Sequence, residues 1–399
     1  MQITICGGGN AAHALAGLLA AQEGQRVNVY LSFEGEAGRW QAGIAAQGGI
    51  EVIQRDGTVL GRPHLVSCQA SEALAGSELV LLAVPAFAHG VVLAEIGPYL
   101  EEGAWLGALP ARGCFDLCAW EALREKCFSV TLFGLQSLPW ACRIGEYGRS
   151  VQILGSKARL DLAVWPTAGA AAVAGRLGAL LGTRLDPAAG FFSLTLAGTG
   201  QLIHPGILFG RFHDWDGQPL AEAPPFYQGV DAGTATTLEE MSAEVQDLRL
   251  ALEQRFPGLD LSAVRPLAEW LRRSYADDIL DFSSLQAMFN SNRSYAGLRV
   301  PARPASGGPG PGGWQPDFRS RYLSEDVPYG LVPTRGIAEL AGVETPVIDR
   351  VIEWAQTRLG QEYLVAGKLR GWHLAATRAP QRYGLHSLEQ LAERIGLPA

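Results

Sequence analysis

Gln2-Ile3-Thr4-Ile5-Cys6-Gly7-Gly8-Gly9-Asn10-Ala11-Ala12-His13 opens the chain after its first residue, and this stretch decides the fold. A short apolar run leads into three glycines, and an Ala- and Leu-rich helical pattern follows over 11–22, with a second strand expected at 26–31. Gly7, Gly9 and Ala12 satisfy the pattern G-x-G-x-x-A between a strand and a helix, which is the setting the pattern requires. The first glycine permits the tight turn, the second lets the backbone approach a pyrophosphate, and Ala12 allows close helix–strand packing. The helix N-terminus then turns unpaired N–H groups toward the phosphates. Gly7, Gly8, Gly9, Asn10, Ala11 and Ala12 are therefore the candidate dinucleotide-binding residues. The bland alternative is a glycine-rich turn in a domain of the same shape that binds nothing.

A second strand of this kind usually ends in Asp or Glu, which holds the adenine ribose. Here Leu31 and Ser32 stand at that place, Glu34 is the nearest acid, and the next arginine is Arg39. Without a nearby arginine for a 2′-phosphate, NAD is expected rather than NADP. Pro85, at the end of the continuous apolar run 78–84, is expected on the cofactor side of the sheet. Further short apolar runs at 104–109, 129–135 and 151–154 alternate with helical stretches. Together they predict an α/β fold, a doubly wound Rossmann domain over residues 1–190.

From residue 191 to 399 the pattern becomes helical, and an all-helical second domain is expected. Residues 238–256 carry apolar side chains at helical spacing; Thr345-Pro346 and Gly360 mark the start and stop of another helix. Residues 301–313 hold nine Gly or Pro in thirteen positions, either a surface loop or a flap over a site.

Composition narrows the function. The 399 residues include 48% hydrophobic and 18% charged side chains, enough for sizeable cores, and the formal charge is −8. With no basic block, neither nucleic acid nor an anionic membrane is an expected partner. No apolar run reaches membrane-spanning length, the Ala-rich 168–181 being broken by Arg176, and no leader is apparent, so a cytoplasmic protein is expected. The six cysteines are too sparse for a disulfide scaffold, and Cys114 and Cys118 have no partners at ligand spacing, so no metal site is expected. Only Lys126, Lys157 and Lys368 are lysines, against twenty-nine arginines.

Two polar segments stand out in the second half, Gln201-Leu202-Ile203-His204-Pro205-Gly206 and Arg321-Tyr322-Leu323-Ser324-Glu325-Asp326-Val327-Pro328. Reduction of a ketone or imine needs a proton donor, which histidine can be near neutral pH. A carboxylate behind it fixes the tautomer, and a substrate carboxylate needs an arginine. His204, Asp326 and Arg321 could fill these roles, although a His-Pro pair is commonly a structural turn and Asp326 could be a cap.

The start Gly7–His13, the segment Ser137-Leu138-Pro139-Trp140-Ala141-Cys142-Arg143, His204-Pro205-Gly206 and the block from Arg321 to Gly330 resemble the opine dehydrogenases, in particular their octopine dehydrogenase type. The resemblance covers essentially the whole chain. It implies a Rossmann domain joined to a helical domain with the active site in the cleft between. It also implies a monomer that condenses pyruvate with an amino acid at the expense of NADH, regenerating NAD at the end of glycolysis. By resemblance His204 is the catalytic histidine, Asp326 its partner and Arg321 the keto-acid clamp, while Ser137, Cys142 and Trp270 line the amino-acid pocket. A glutamine is expected where Arg112 stands. If Arg112 lines the pocket, its charge favours a small neutral or anionic partner (glycine, alanine, β-alanine, taurine) over arginine. The competing readings are a reductase of the glycerol-3-phosphate or ketopantoate type, which would need a lysine, and an NAD-sensing protein without turnover.

Overall fold

The computed structural model describes residues 1–305 and 312–397. The flap reading of 301–313 therefore rests largely on residues 306–311, which lie outside the described residues. The chain divides into two compact units: Met1–Ala111 with Phe115–Leu194, and Arg112–Cys114 with Thr195–Ala399. The excursion of three residues into the second unit has consequences for the site.

The first unit contains β1 (Gln2–Cys6), β2 (Arg26–Tyr30), β3 (Ile50–Gln54), β4 (Gly57–Gly61), β5 (Leu65–Ser67), β6 (Leu79–Leu82), β7 (Trp105–Ala108), β8 (Thr131–Leu135), β9 (Trp140–Ile144), β10 (Ser150–Ser156), β11 (Arg159–Trp165) and β12 (Arg184–Pro187). Its helices are α1 (Asn10–Ala20), α2 (Glu34–Gln47), α3 (Ala70–Ala73), α4 (Ala86–Ile96), α5 (Phe115–Leu123) and α6 (Ala170–Leu181). Eight strands form one sheet in the order β12-β11-β8-β7-β6-β1-β2-β5. Neighbours from β7 through β1 to β5 are parallel, and β11 runs against β8. All four residues of β6 are buried, as expected of a strand covered on both faces.

One face of the sheet packs on α1 and α6, where Leu15, Leu19, Val173 and Leu177 meet Ile3, Ile5 and Leu162. The other packs on α4 and α5 through Leu93, Ile96 and Phe115 against Leu82 and Leu106. The run 151–154 departs from expectation. It lies in β10, which belongs to a separate four-stranded sheet, β4-β3-β10-β9. Its inward Val151 and Ile153 alternate with Gln152, the pattern of a strand buried on one face, and β9 pairs with it antiparallel.

The second unit begins within α7 (Phe191–Leu196) and is built from α8 (Gly200–Phe212), α9 (Ala232–Arg255), α10 (Leu267–Tyr275), α11 (Leu285–Ser291), α12 (Arg321–Ser324), α13 (Val332–Ala341), α14 (Pro346–Leu359) and α15 (Leu388–Ile395). Two short antiparallel strand pairs lie among the helices: β13 (Ala302–Pro304) with β14 (Trp314–Pro316), and β15 (Leu364–Val365) with β16 (Lys368–Leu369). The helix α9 starts six residues before the pattern at 238–256, because the Asp231 carboxylate accepts the Thr234 N–H at 2.8 Å and so caps a first turn that contains Gly233 and Thr234. Among the described residues no helix is long and apolar enough to cross a membrane.

Thr345 precedes α14 as expected, but its hydroxyl turns to Asp349. The N–H groups of Val347 and Ile348 are taken instead by the two carboxylate oxygens of the buried Glu244, at 2.6 and 2.9 Å, from the middle of α9. A remote side chain thus does the work of a local cap and ties α9 to α14. Glu244→Ala would orphan two buried donors, and a loss of roughly 2 kcal/mol is expected in urea unfolding. A midpoint unchanged from wild type would show that the contact is incidental.

Candidate active site

Gly7 sits where β1, β2 and β6 end. Its φ is +126°, its N–H donates to Tyr30 O at 2.9 Å, and a Cβ there would lie 2.7 Å from Ala83 O. Only glycine fits that turn. Gly9 stands at the N-cap of α1, where an added Cβ would meet nothing within 4 Å, while one on Gly8 would run into the Glu36 carboxylate. The open cradle at Gly9, at the start of a helix with unpaired N–H groups, fits a pyrophosphate. Asn10 is committed elsewhere, its Oδ1 accepting the Ile144 N–H at 2.8 Å, and Ala11 and Ala12 are buried in α1. Pro85 caps α4 directly after β6.

Leu31 is buried and Ser32 exposed at the end of β2. The acid missing from that position comes from α4: the Ser32 and Tyr30 hydroxyls donate to Glu95 Oε2 at 2.9 and 3.0 Å. Sixty-three residues separate Ser32 from Glu95, so no spacing rule could have found it.

His13 secures the turn from beneath. Its Nδ1–H donates to Gly9 O at 2.9 Å, and its Nε2 accepts the Gly148 N–H at 2.8 Å, which fixes a neutral tautomer. Burial against Trp40, 4.2 Å between ring centroids, pushes its pKa from 6.5 down to about 4.

In the second unit, α8 carries Gln201, His204 and Pro205 in mid-helix, so the His-Pro pair is part of a helix and not a turn. Gly206 and Gly210, one turn apart, let α9 approach so closely that Cβ atoms would fall 2.6 Å from Leu238 and 2.7 Å from Thr234. A widened helical turn, Val327–Leu331, follows α12; its Leu331 N–H reaches back to Asp326 O at 2.9 Å. Gly330 in this turn packs on Gln201, where a Cβ would come within 2.4 Å of the Gln201 Cβ. This contact, one turn from His204, brings the two segments together.

His204 Nδ1 and Asp326 Oδ2 are 2.7 Å apart, and His204 Nε2 lies 2.8 Å from the Tyr227 hydroxyl. The Tyr322 ring stacks on the imidazole at 4.2 Å and 14°. Because a carboxylate can only accept, Nδ1–H donates to Asp326, and Nε2 is left to share its hydrogen bond with the Tyr227 hydroxyl. Burial pushes the Tyr227 phenol well above its usual range, so it stays protonated.

The other oxygen of Asp326 pairs with Arg112 Nη1. Arg112 Nε donates to Glu325 Oε1 at 3.2 Å, and Glu325 Oε2 accepts from Arg321 Nε at 2.6 Å. The structure thus assembles His204, Asp326, Arg112 and Arg321, with Glu325 as the member sequence reading passed over. Arg321 is coupled to the dyad through Glu325 and Arg112. Its side chain is 55% exposed, whereas those of both carboxylates are 1% exposed. Arg112 does not point to solvent: its side chain is largely buried, and two buried carboxylates meet its charge.

Ser137 and Cys142 belong to the first unit, between β8 and β9 and on β9. Burial pushes the Cys142 thiol up to about 11, so it stays neutral. Trp270, on α10 of the second unit, is buried against Tyr275, which touches Tyr295, which stacks on Tyr227 at 4.1 Å.

Residues 187–359 match the family model described as NAD/NADP octopine/nopaline dehydrogenase, alpha-helical domain. Over 401 residues the chain is 38% identical to octopine dehydrogenase of Pecten maximus, covering 98% of each protein. The chain belongs to the opine dehydrogenase family, in its octopine dehydrogenase type. It is also 36% identical to tauropine dehydrogenase of Arabella iricolor over 405 residues, 98% of this chain and 99% of the relative. A solved octopine dehydrogenase structure with NADH and pyruvate is similar at a TM-score of 0.84 and 36% identity, covering 100% of this chain and 99% of the other. Membership makes the chain an NAD-dependent oxidoreductase.

The His13 shift has a consequence for stability. Its folded pKa lies below its unfolded value, so its stabilisation is complete above pH 6.5 and is lost as pH falls toward 4. Wild type is expected to lose up to ~3 kcal/mol relative to His13→Gln over that window. Parallel thermal-stability curves for the two proteins would contradict the neutral, buried assignment.

Proposed function

We propose that the protein catalyses the reversible, NADH-dependent condensation of pyruvate with an amino acid or taurine to an N-(1-carboxyethyl) product, acting on a CH–NH bond. The observation that carries this reading is the 2.7 Å contact of His204 with Asp326, in a chain of charges that ends on the exposed Arg321. The amine attacks the pyruvate ketone, water leaves, and the resulting imine is reduced at carbon. Bound NADH supplies the hydride. Gly7, Gly8 and Gly9 with the N-terminus of α1 hold its pyrophosphate, and Leu31, Ser32 and Pro85 line the same side. Glu95 beside Ser32 opposes a 2′-phosphate, which favours NADH over NADPH.

Arg321 receives the keto-acid carboxylate through the guanidinium edge that Glu325 leaves free. His204 handles the proton at Nε2, and Asp326 stabilises the imidazolium that results. Tyr227 is the group Nε2 faces, so a protonated phenol lies in the path of the transferred proton. Ser137, Cys142 and Trp270 are assigned to the amino-acid pocket by family resemblance. Because Asp326 and Glu325 balance Arg112, the ground for excluding arginine as the amine falls away. Condensation consumes a proton, so falling pH favours it and rising pH favours the reverse. A cytoplasmic monomer with this activity would restore NAD when oxygen is short.

The lysine-dependent reductase reading has no support in the helical unit, whose Lys368 is an exposed residue of β16. NADH oxidation with pyruvate, screened over arginine, alanine, glycine, β-alanine and taurine, should find at least one active partner. No oxidation with any of them would leave the non-catalytic reading standing. His204→Ala should keep NADH binding by fluorescence titration while turnover falls at least ~100-fold, the usual contribution of a general acid. Turnover within a few-fold of wild type would remove His204 from the mechanism.

A further inference from the structure

Arg321, Glu325, Arg112, Asp326 and His204 form an unbroken series of contacts in which cation and anion alternate. The series is held in place at some cost. Arg112 and Cys114 have φ of +62° and +49°, left-handed values that cost non-glycine residues roughly 1 kcal/mol or more each. The strained segment is pinned by Gly113 N–H to Tyr329 O at 2.8 Å and Cys114 N–H to Thr195 Oγ1 at 2.9 Å. Gly200, the first residue of α8, leaves room for it: a Cβ there would stand 3.1 Å from Arg112 Nη1 and 3.8 Å from Asp326 Oδ1.

We propose that Arg112 is a positioning residue that shares Asp326 with His204, and that it transmits occupancy of Arg321 to the proton on His204. This rests on the reading of His204 as the proton carrier and Arg321 as the keto-acid clamp. A carboxylate arriving at Arg321 loosens its hold on Glu325. Glu325, buried and with its charge undiminished, then draws harder on Arg112. Arg112 gives up part of Asp326, whose charge turns to His204 and holds the proton there more firmly. The acid is thereby loaded when the keto acid is present. The groups facing His204 are Asp326 and Tyr322 from the 321–326 segment, Tyr227 with Tyr295 behind it, and Arg112 beside Gly200. Burial keeps Tyr227 and Tyr295 neutral through the working range, so the carboxylates and arginines set the local field.

The test compares pH–rate profiles of condensation. In wild type the alkaline fall of kcat, which reports the complex with keto acid, should lie about one pH unit above that of kcat/KM for pyruvate. In Arg112→Gln both should lie high and their separation should shrink to less than half. In Glu325→Gln, where Arg112 holds Asp326 permanently, both should lie low, again with less than half the separation. Arg112→Lys, which restores the charge, should recover most of it. A separation of half or more of the wild-type value in either neutral variant overturns the proposal. Arg112→Gln leaves two carboxylates buried together and is expected to be less stable, whereas Glu325→Gln removes one of them and keeps the test available. Titration of the His204 ring by NMR, with and without pyruvate in the presence of NAD+, reads the same displacement without turnover. If that displacement follows the variants while His204→Ala stays active, the coupling stands and the proton-carrier reading falls. A displacement indifferent to both variants overturns the coupling itself.

Discussion

Glu325 and Asp326 are neighbours in sequence and both are buried, an arrangement that would repel itself without cations close by. Arg112 answers that need. Its guanidinium touches both carboxylates, and the left-handed backbone that delivers it is tolerated because hydrogen bonds to Tyr329 and Thr195 hold it. Around this pairing the rest of the site falls into place. The widened turn after Asp326 packs Gly330 on Gln201, and Gln201 in turn donates to Thr334 Oγ1 at 2.9 Å and to Thr195 O at 3.2 Å. The result is a histidine on one rigid helix and its carboxylate on another segment, locked by contacts that leave little play.

The glycine turn of the first unit and the charged cluster of the second bury polar groups in opposite ways. In the first, His13 is kept neutral, with each ring nitrogen given one backbone partner, and its reward is a fixed glycine turn. In the second, charge is retained and balanced. Burying a neutral, fully hydrogen-bonded ring costs little and makes a stiff scaffold. Burying charges costs more, and it is sensible where the electric field must respond to a ligand or a proton.

What could be read from the chain follows the range of the interactions. The turn at Gly7–Ala12, the buried strand β6 and the helix closed by Gly360 are decided within a few residues, and local pattern finds them. The placement of 151–154 in a second sheet depends on pairing with β3 and β9, which alternation hinted at but a count of apolar residues obscured. Arg112 and Glu325 are 213 residues apart, and Tyr227 lies 23 residues from His204 at no recognisable spacing. Glu325 stands beside Asp326, and two adjacent acids in an apolar block are themselves a local sign that a cation lies close by.

Under the proposed function, the same electrostatics bear on which amine the site would accept. A lone arginine in a pocket would repel a cationic substrate, but Arg112 is one member of a set in which two arginines face two carboxylates. The set is neutral until His204 is protonated, and a keto-acid carboxylate on Arg321 would offset that added charge. Discrimination among amines therefore cannot come from the net charge of this cluster. It has to come from groups that touch the amine's own side chain, and there a change of shape or of one hydrogen-bonding partner outweighs a distant compensated ion pair.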